Sequence, residues 1–256
     1  MAEVKRCNDL SGKEWLQNSF SIWRGLTKTK EEKEIKHPAS FPVSLCEKVI
    51  KTFSRSDSVV LDPFNGIGTT LVACQNLGHI GVGIDLSDEY CTIARGRVKE
   101  SSGMTIITGN STVELQRFPS DYFDLCLTSP PYWDILNMRR TADIKTNVNY
   151  SDKDEDIGNI GEYGQFLYQL TAVFSEVFRV LRKGSYCIVN VMDIRKKDKF
   201  FPLHSDLSTE LKKCGFIYDD LLIWDRQADY NNMRPLGYPS RFRINKIHEY
   251  LLVFLK

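Results

Sequence analysis

The sequence predicts an α/β protein built on a doubly wound sheet of seven strands, mostly parallel. Three observations predict it. Short apolar runs alternate with amphipathic stretches, in the order β-α-β-α-β-β over the first half of the chain. A loop with two glycines, Gly66 and Gly68, joins the first run to the helix behind it, and an acid, Asp85, closes the second run. A Pro-Pro pair, Pro130-Pro131, ends the fourth run. Together these give a Rossmann-like arrangement, whose ligands lie at the carboxyl ends of the strands.

The 256 residues suffice for one large domain with a full core. The formal net charge is +1, so global charge does not mark a nucleic-acid binder, and any basic surface has to be local. No apolar run approaches the length of a membrane span, and the N-terminus lacks the apolar core of a secretion signal. A cytoplasmic location with no membrane partner is expected. The seven cysteines are scattered and form no Cys-x-x-Cys pair, and the four histidines are isolated. Reduced core cysteines and no metal site are expected.

Residues 1–36 read as an N-terminal extension. In it Trp15, Leu16, Phe20, Ile22 and Trp23 are candidates to pack on the domain, and Lys28 to Lys36 is a charge run that reads as solvated. Residues 37–256 read as a single domain. His37-Pro38-Ala39-Ser40-Phe41-Pro42 is an extended link into a helix, with Ser40 as its cap and Cys46, Val49, Ile50 and Phe53 on one face. Ser58 to Asp62 is the first strand, and Leu71 to Leu77 a helix closed by Gly78. Ile80 to Asp85 is the second strand, followed by a helix capped by Ser87 with Asp88 and Glu89 in its positive first turn. Met104 to Thr108 and Tyr122 to Leu127 are the third and fourth strands. Residues 134–162 are polar and without period, a long functional insert. Phe166, Leu167, Leu170, Phe174, Val177, Phe178 and Leu181 mark one face of a long helix that Gly184 ends. Tyr186 to Val191 is the fifth strand. Leu203, Leu207 and Leu211 give a helix stopped at Gly215, and Phe216 to Trp224 and Glu249 to Leu255 are the last two strands. A second insert, residues 226–246, carries Arg226, Arg234, Arg241, Arg243 and Lys246 against Asp229, a basic concentration beside strand ends.

The chemistry-bearing residues fall in three loops. In Asp62-Pro63-Phe64-Asn65-Gly66-Ile67-Gly68-Thr69-Thr70, glycines let the backbone approach a ligand. Leu71 stands where a dinucleotide loop has its third glycine, which argues against a pyrophosphate at the helix end. Asp85, with Leu86 after it, occupies the position of a carboxylate that holds ribose hydroxyls. Thr128-Ser129-Pro130-Pro131-Tyr132-Trp133 forms a stiff rim with one serine hydroxyl, carbonyls without competing N–H groups, and two aromatic rings.

Joined, the glycine loop, Asp85 and Ser129-Pro130-Pro131-Tyr132 resemble the S-adenosylmethionine-dependent DNA amino-methyltransferases, which methylate the exocyclic nitrogen of cytosine or adenine. The resemblance runs from about His37 to the chain end. It implies that Phe64-x-Gly66-x-Gly68, with Asp62, Asn65, Thr69 and Thr70, cradles the methionine part of the cofactor. It implies further that His37-Pro38 closes over that part, Asp85 with Leu86 holds the ribose, and Asn110-Ser111 holds the adenine edge. Glu249 to Leu255 resembles the family's antiparallel seventh strand. Two departures stand out: Asn110 follows Gly109 where the family often has Asp, and no large separate target-recognition domain is visible. The catalytic set implied is Ser129, Pro130, Pro131 and Tyr132. Ser129 Oγ and the Pro130 carbonyl would accept the two hydrogens of the amino group, and Tyr132 would stack on the base. Core packing is the plainer reading of Trp133. The target base has to be flipped out of the duplex.

The expected reaction is methylation of cytosine N4 in DNA, because in the resemblance a serine at position 129 goes with cytosine. The alternatives are adenine N6, an RNA or protein-amide substrate, and a non-catalytic binding subunit. The sequence argues against carbon-5 methylation, whose family sets its cysteine nucleophile after a proline, since no cysteine follows a proline here. The Arg226–Lys246 arginines and lysine would contact phosphates. A cognate restriction endonuclease and a monomer or homodimer are compatible with this reading.

Overall fold

In the computed structural model, residues 6–35, 40–99, 103–134, 156–196, 198–229 and 235–256 are described, and their apolar runs form one eight-stranded sheet. The chain enters through α1 (Gly12–Asn18), a two-residue strand β1 (Ile22–Trp23), α2 (Lys30–Glu34) and α3 (Val43–Phe53). One half of the sheet follows: β2 (Val59–Asp62), α4 (Thr69–Leu77), β3 (Ile80–Asp85), α5 (Asp88–Arg97), β4 (Met104–Thr108), α6 (Ser111–Glu114) and β5 (Phe123–Thr128). The other half is α7 (Tyr163–Val180), β6 (Leu181–Val191), a small hairpin of β7 (Ile194–Lys196) and β8 (Lys199–Phe201), α8 (Leu203–Lys213), β9 (Ile217–Asp225) and β10 (His248–Leu255).

The strand order is β1-β9-β10-β6-β5-β2-β3-β4. All pairings in this sheet are parallel except those of β10, which runs antiparallel between β6 and β9. The chain winds outward in both directions from β2 and β5, so the switch in strand order lies between them. A crevice opens at such a point because the connecting loops leave in opposite directions. The loops after β2, β3 and β5, the β7–β8 hairpin after β6, and the β9–β10 connection all leave this same sheet end.

Strand alternation sorts the core into two faces. Val60, Leu125, Leu127, Ile188, Leu251 and Val253 pack under α3 and α4 with Trp23 and Trp224. Their neighbours Leu61, Cys126, Cys187, Val189 and Leu252 pack under α7 and α8. Among the described residues no helix is long and apolar enough to cross a membrane.

The α/β class, the parallel sheet and the antiparallel last strand agree with expectation, while several details differ. The sheet has an eighth strand, β1, because Trp23 is buried and its segment pairs with Ile223 and Trp224 of β9. The N-terminal extension is therefore sewn to the sheet edge, although Trp15, Leu16, Phe20 and Ile22 stay exposed. Ser40 does not cap α3. Its hydroxyl accepts from Lys28 Nζ at 2.7 Å, and the helix begins after Pro42 with the Val43 N–H donating to Glu32 Oε1 at 2.7 Å. The supposedly solvated charge run thus supplies the carboxylate for a helix N-terminus. Nor does Gly184 end α7. The helix stops at Val180, since Leu181 is already paired with Phe123 in the sheet.

Candidate active site

Beside the switch point lies a solvent-open cleft lined by the loops after β2, β3, β4 and β5. Its floor is the β2–α4 loop. Gly66 and Gly68 have φ of 49° and 75°, which glycine adopts at little cost. The loop is tied to the end of β3. The Asn65 N–H donates to the Ile84 carbonyl at 2.9 Å, and the Gly66 N–H to Asp85 Oδ2 at 2.7 Å. Asp85 Oδ1 accepts from the Ser87 N–H at 2.9 Å, so this carboxylate also fixes the start of α5. Asp85 and Leu86 both line the cleft.

Of the residues expected to hold a cofactor, Phe64, Asn65, Gly66, Thr69, Asp85, Leu86, Asn110 and Ser111 line the cleft. Three others stand behind its wall. Asp62 is sealed between β2 and β5, accepting from Thr70 Oγ1 and Thr128 Oγ1, each at 2.6 Å, and from the Phe64 N–H at 3.1 Å. Burial pushes its carboxyl up to about 6, against those three hydrogen bonds. Thr70 is its partner. Gly68 lies against α5, where an added Cβ would sit 2.9 Å from Ala94 Cβ. The reason for a glycine there is helix packing and a left-handed helix cap rather than room for a ligand. Asn110 and Ser111 are partly engaged. The first caps α6 through the Thr112 N–H, and the second donates to the Pro63 carbonyl at 2.5 Å. His37 and Pro38 lie outside the described residues.

The rim after β5 forms the facing wall, with Ser129, Pro130, Pro131 and Tyr132 all lining the cleft. Trp133 is core. It packs edge-on against Tyr163 and Phe201, and its Nε1 donates to the Ile160 carbonyl at 2.7 Å. Of the first insert, residue 134 and residues 156–162 are described, and Asp156 and Ile157 reach the cleft.

Tyr132 is not a loose ring. Its hydroxyl donates to Glu249 Oε2 at 2.8 Å, lies 3.0 Å from Asn190 Nδ2 and 3.1 Å from Ser129 Oγ. Asn190 Nδ2 also donates to Glu249 Oε2 at 2.6 Å, and the Arg226 guanidinium holds Glu249 Oε1. The sequence reading missed Glu249 and Asn190. The signal was available: both fall where strand alternation puts core residues, two positions from Leu251 and Ile188. They are 4% and 1% exposed.

Arg226 is therefore turned inward onto Glu249 and Asp229, which corrects its expected place on a phosphate-binding surface. Arg241 lies at the surface, whereas Arg243 is half-buried like Arg226; both pair with Asp198 of the β7–β8 turn. Lys246 rests over the Phe200 ring, with burial lowering its amine. Arg234 lies outside the described residues. Around these cations Tyr238 and Phe242 are 81% and 94% exposed.

Chemically, the described cleft lining holds carboxylates from Asp85 and Asp156 and no lysine or arginine. Such a site suits a cationic ligand with hydroxyls and an apolar ring, and is poorly suited to a polyphosphate. Asn65 Oδ1 is buried without a hydrogen-bond partner among the described residues, on the side of Gly83.

A family model described as DNA methylase matches residues 3–96 and 123–256. Over 100 residues the chain is 37% identical to the type II methyltransferase M.ScaI of Streptomyces caespitosus, covering 37% of this chain and 31% of that one. Over 79 residues it is 42% identical to the type II methyltransferase M2.DpnII of Streptococcus pneumoniae, covering 30% of each. These matches thus span about a third of the relatives' length. The crystal structure of TrmN from Thermus thermophilus superposes with a TM-score of 0.54 at 15% identity, over 84% of this chain and 48% of that one, a likeness of fold.

Proposed function

This chain belongs to the DNA methylase family, whose model spans most of its length, and we propose that it methylates the exocyclic N4 of cytosine in DNA with S-adenosylmethionine as donor. One observation carries the reading: Ser129-Pro130-Pro131-Tyr132 faces Phe64–Gly66 and Asp85 across a single cleft. Asp85 would take the ribose hydroxyls, Asn110 and Ser111 the adenine edge, and the Phe64–Gly66 turn the methionine part. The donor supplies a methyl group on a positively charged sulfur, which leaves as a neutral thioether when the methyl carbon bonds to nitrogen.

The residues of the rim address why the target needs help. An amino group on a base is a weak nucleophile, because its lone pair is delocalised into the ring. Ser129 Oγ and the Pro130 carbonyl accept its hydrogens, turn the nitrogen toward tetrahedral geometry and so release that pair. Most of the gain comes from positioning and fixed dipoles. A base inside a duplex cannot enter the cleft, so it arrives flipped out. Its phosphates meet the surface of Arg241, Arg243 and the β7–β8 hairpin, and exposed Phe242 and Tyr238 stand ready to stack where the duplex opens.

Incubation with labelled S-adenosylmethionine and DNA, then nucleoside digestion and mass spectrometry, tests this directly. N4-methylcytosine is expected. N6-methyladenine without N4-methylcytosine would refute the cytosine assignment, and label in RNA or protein alone would refute DNA as substrate. Ser129→Ala should lower turnover by about a hundredfold while leaving donor affinity nearly unchanged, since the contact matters chiefly in the transition state.

A further inference from the structure

The hydrogen-bond chain behind the rim has one consistent direction. Glu249, paired with the Arg226 guanidinium, is a carboxylate and only accepts. Tyr132 has one proton, and it goes to Glu249 Oε2. Asn190 Nδ2 has two, one for Glu249 and one for Tyr132 Oη. A flipped Asn190 amide would set its oxygen 2.6 Å from a carboxylate oxygen, so Glu249 also fixes the amide. With its own proton committed, Tyr132 Oη can only accept at the Ser129 contact. Ser129 must therefore donate there, which leaves the lone pairs of its hydroxyl to accept, and Ser129 lines the cleft. Among the described residues Ser129 Oγ makes no other hydrogen bond.

Resting on the amino-group reaction above, we propose that Glu249 and Asn190 are positioning residues that make Ser129 a pure acceptor for the target amine. We propose also that the same chain carries away the proton this amine must lose. On gaining the methyl carbon, the nitrogen is cationic. It gives one proton to Ser129 Oγ as the Ser129 proton passes to Tyr132 Oη and the Tyr132 proton to Glu249 Oε2. The nitrogen ends neutral, Ser129 and Tyr132 keep one proton each, and Glu249 is left as the neutral acid; once the product leaves, the proton runs back along the same chain and out through Ser129 to water in the cleft. Lys28 and Arg226 are the cations that act on Glu249, and Asp229 is the further acid beside them. A pure acceptor also rejects a base with a carbonyl in place of the amino group, since two acceptors would then face each other.

The decisive comparison is Tyr132→Phe, Glu249→Gln and the double variant. Tyr132→Phe keeps the ring, so stacking and packing survive. In single-turnover methylation each variant should lose at least about tenfold in rate, as expected for lost proton transfer. Dissociation constants for donor and DNA should stay within about twofold, and the double variant should be no slower than the slower single. In the ligand-free protein, the thermal-midpoint shift of Tyr132→Phe should be smaller in the Glu249→Gln background, because the bond to the carboxylate is gone while those to Asn190 and Ser129 remain. Rates within twofold of wild type, or losses that multiply in the double variant, would overturn the relay. Should Glu249→Gln fail to fold, Tyr132→Phe alone decides by its rate against its dissociation constants. A wild-type protein that methylates no amino group refutes the reaction before any variant is compared, and the thermal cycle still decides whether the chain exists.

Discussion

Replacing Asp85 with alanine separates two duties of one carboxylate. Its oxygens accept the Gly66 N–H at 2.7 Å and the Ser87 N–H at 2.9 Å, and the residue lines the cleft from the end of β3. The first duty is to the loop. Removal leaves two backbone donors to find water, and a hydrogen bond to a charged group contributes about 1.5–3 kcal/mol. Because Asp85 is half-buried and water can reach the vacated site, the lower end applies, and the alanine variant should lose on the order of 2–3 kcal/mol of stability in total. The second duty is to the ribose hydroxyls, where one charge-assisted bond of about 1.5–3 kcal/mol corresponds to a loss in donor affinity of roughly ten- to a hundred-fold. Thermal unfolding reads the first and calorimetric titration with S-adenosylmethionine the second. Asp85→Asn sharpens the comparison: one amide oxygen replaces two acceptors, and the NH2 group would meet a backbone N–H. It should recover little of either loss. A folded Asp85→Ala protein with wild-type donor affinity would refute the ribose assignment, while an unchanged unfolding midpoint would refute the tether.

Gly68→Val should cost stability by at least about 2 kcal/mol, through the Ala94 contact and a branched residue at φ of 75°, as read by denaturant midpoint; a wild-type midpoint would show that α5 can shift. Asp62 predicts a pH dependence. Its carboxyl is pushed up to about 6 in the fold from 3.8, so the native state holds this proton more tightly than the unfolded chain. Its contribution to stability is therefore greatest below about pH 4, falls as pH rises to about 6, and is flat above. Asp62→Asn should flatten that fall, on the order of 3 kcal/mol, in unfolding measured across the window, and an unaltered slope would place the titration elsewhere. Replacing Arg241 and Arg243 together by glutamine should lower the slope of log affinity for DNA against log salt by up to about 2, with donor affinity unchanged; an unaltered slope would remove them from the phosphate surface.

The fold was largely readable because its strands are apolar runs and its helices apolar stripes, signals that each element carries alone. The Gly78 stop and the Ser87 cap are likewise local, and both stand where expected. What escaped depends on partners distant in the chain. β1 has two residues and no period, and only its pairing with β9 makes it a strand. Gly184 looked like a helix stop, yet Leu181 is claimed three residues earlier by a strand that begins at Phe123. The loops facing the cleft were legible as glycine, proline and acid chemistry at strand ends. The polar set behind them was not, because Tyr132 and Glu249 meet across 117 positions and Asn190 and Glu249 across 59. Arg226 misled for the same reason: a charge counted within its own loop finds its partner on the next strand.

Two polar knots anchor the rim, and they divide the work of holding it. On one side Thr128, the residue before Ser129, donates to Asp62 Oδ1, while Thr70 of the facing helix donates to Asp62 Oδ2. The ends of β2 and β5 are thereby clasped through one buried carboxylate, so the glycine loop and the serine rim keep their spacing. On the other side Tyr132 is clasped to β6 and β10 through Asn190 and Glu249. Between the clasps lie Pro130 and Pro131, which add stiffness without adding donors. A reaction that demands an amine and a methyl group in line is served by walls that cannot move apart. Loosening Asp62 should then alter the distance between the two substrates, and loosening Glu249 the orientation of Ser129 alone. The two failures differ in kinetics: the first raises KM and lowers kcat together, whereas the second lowers kcat at constant KM.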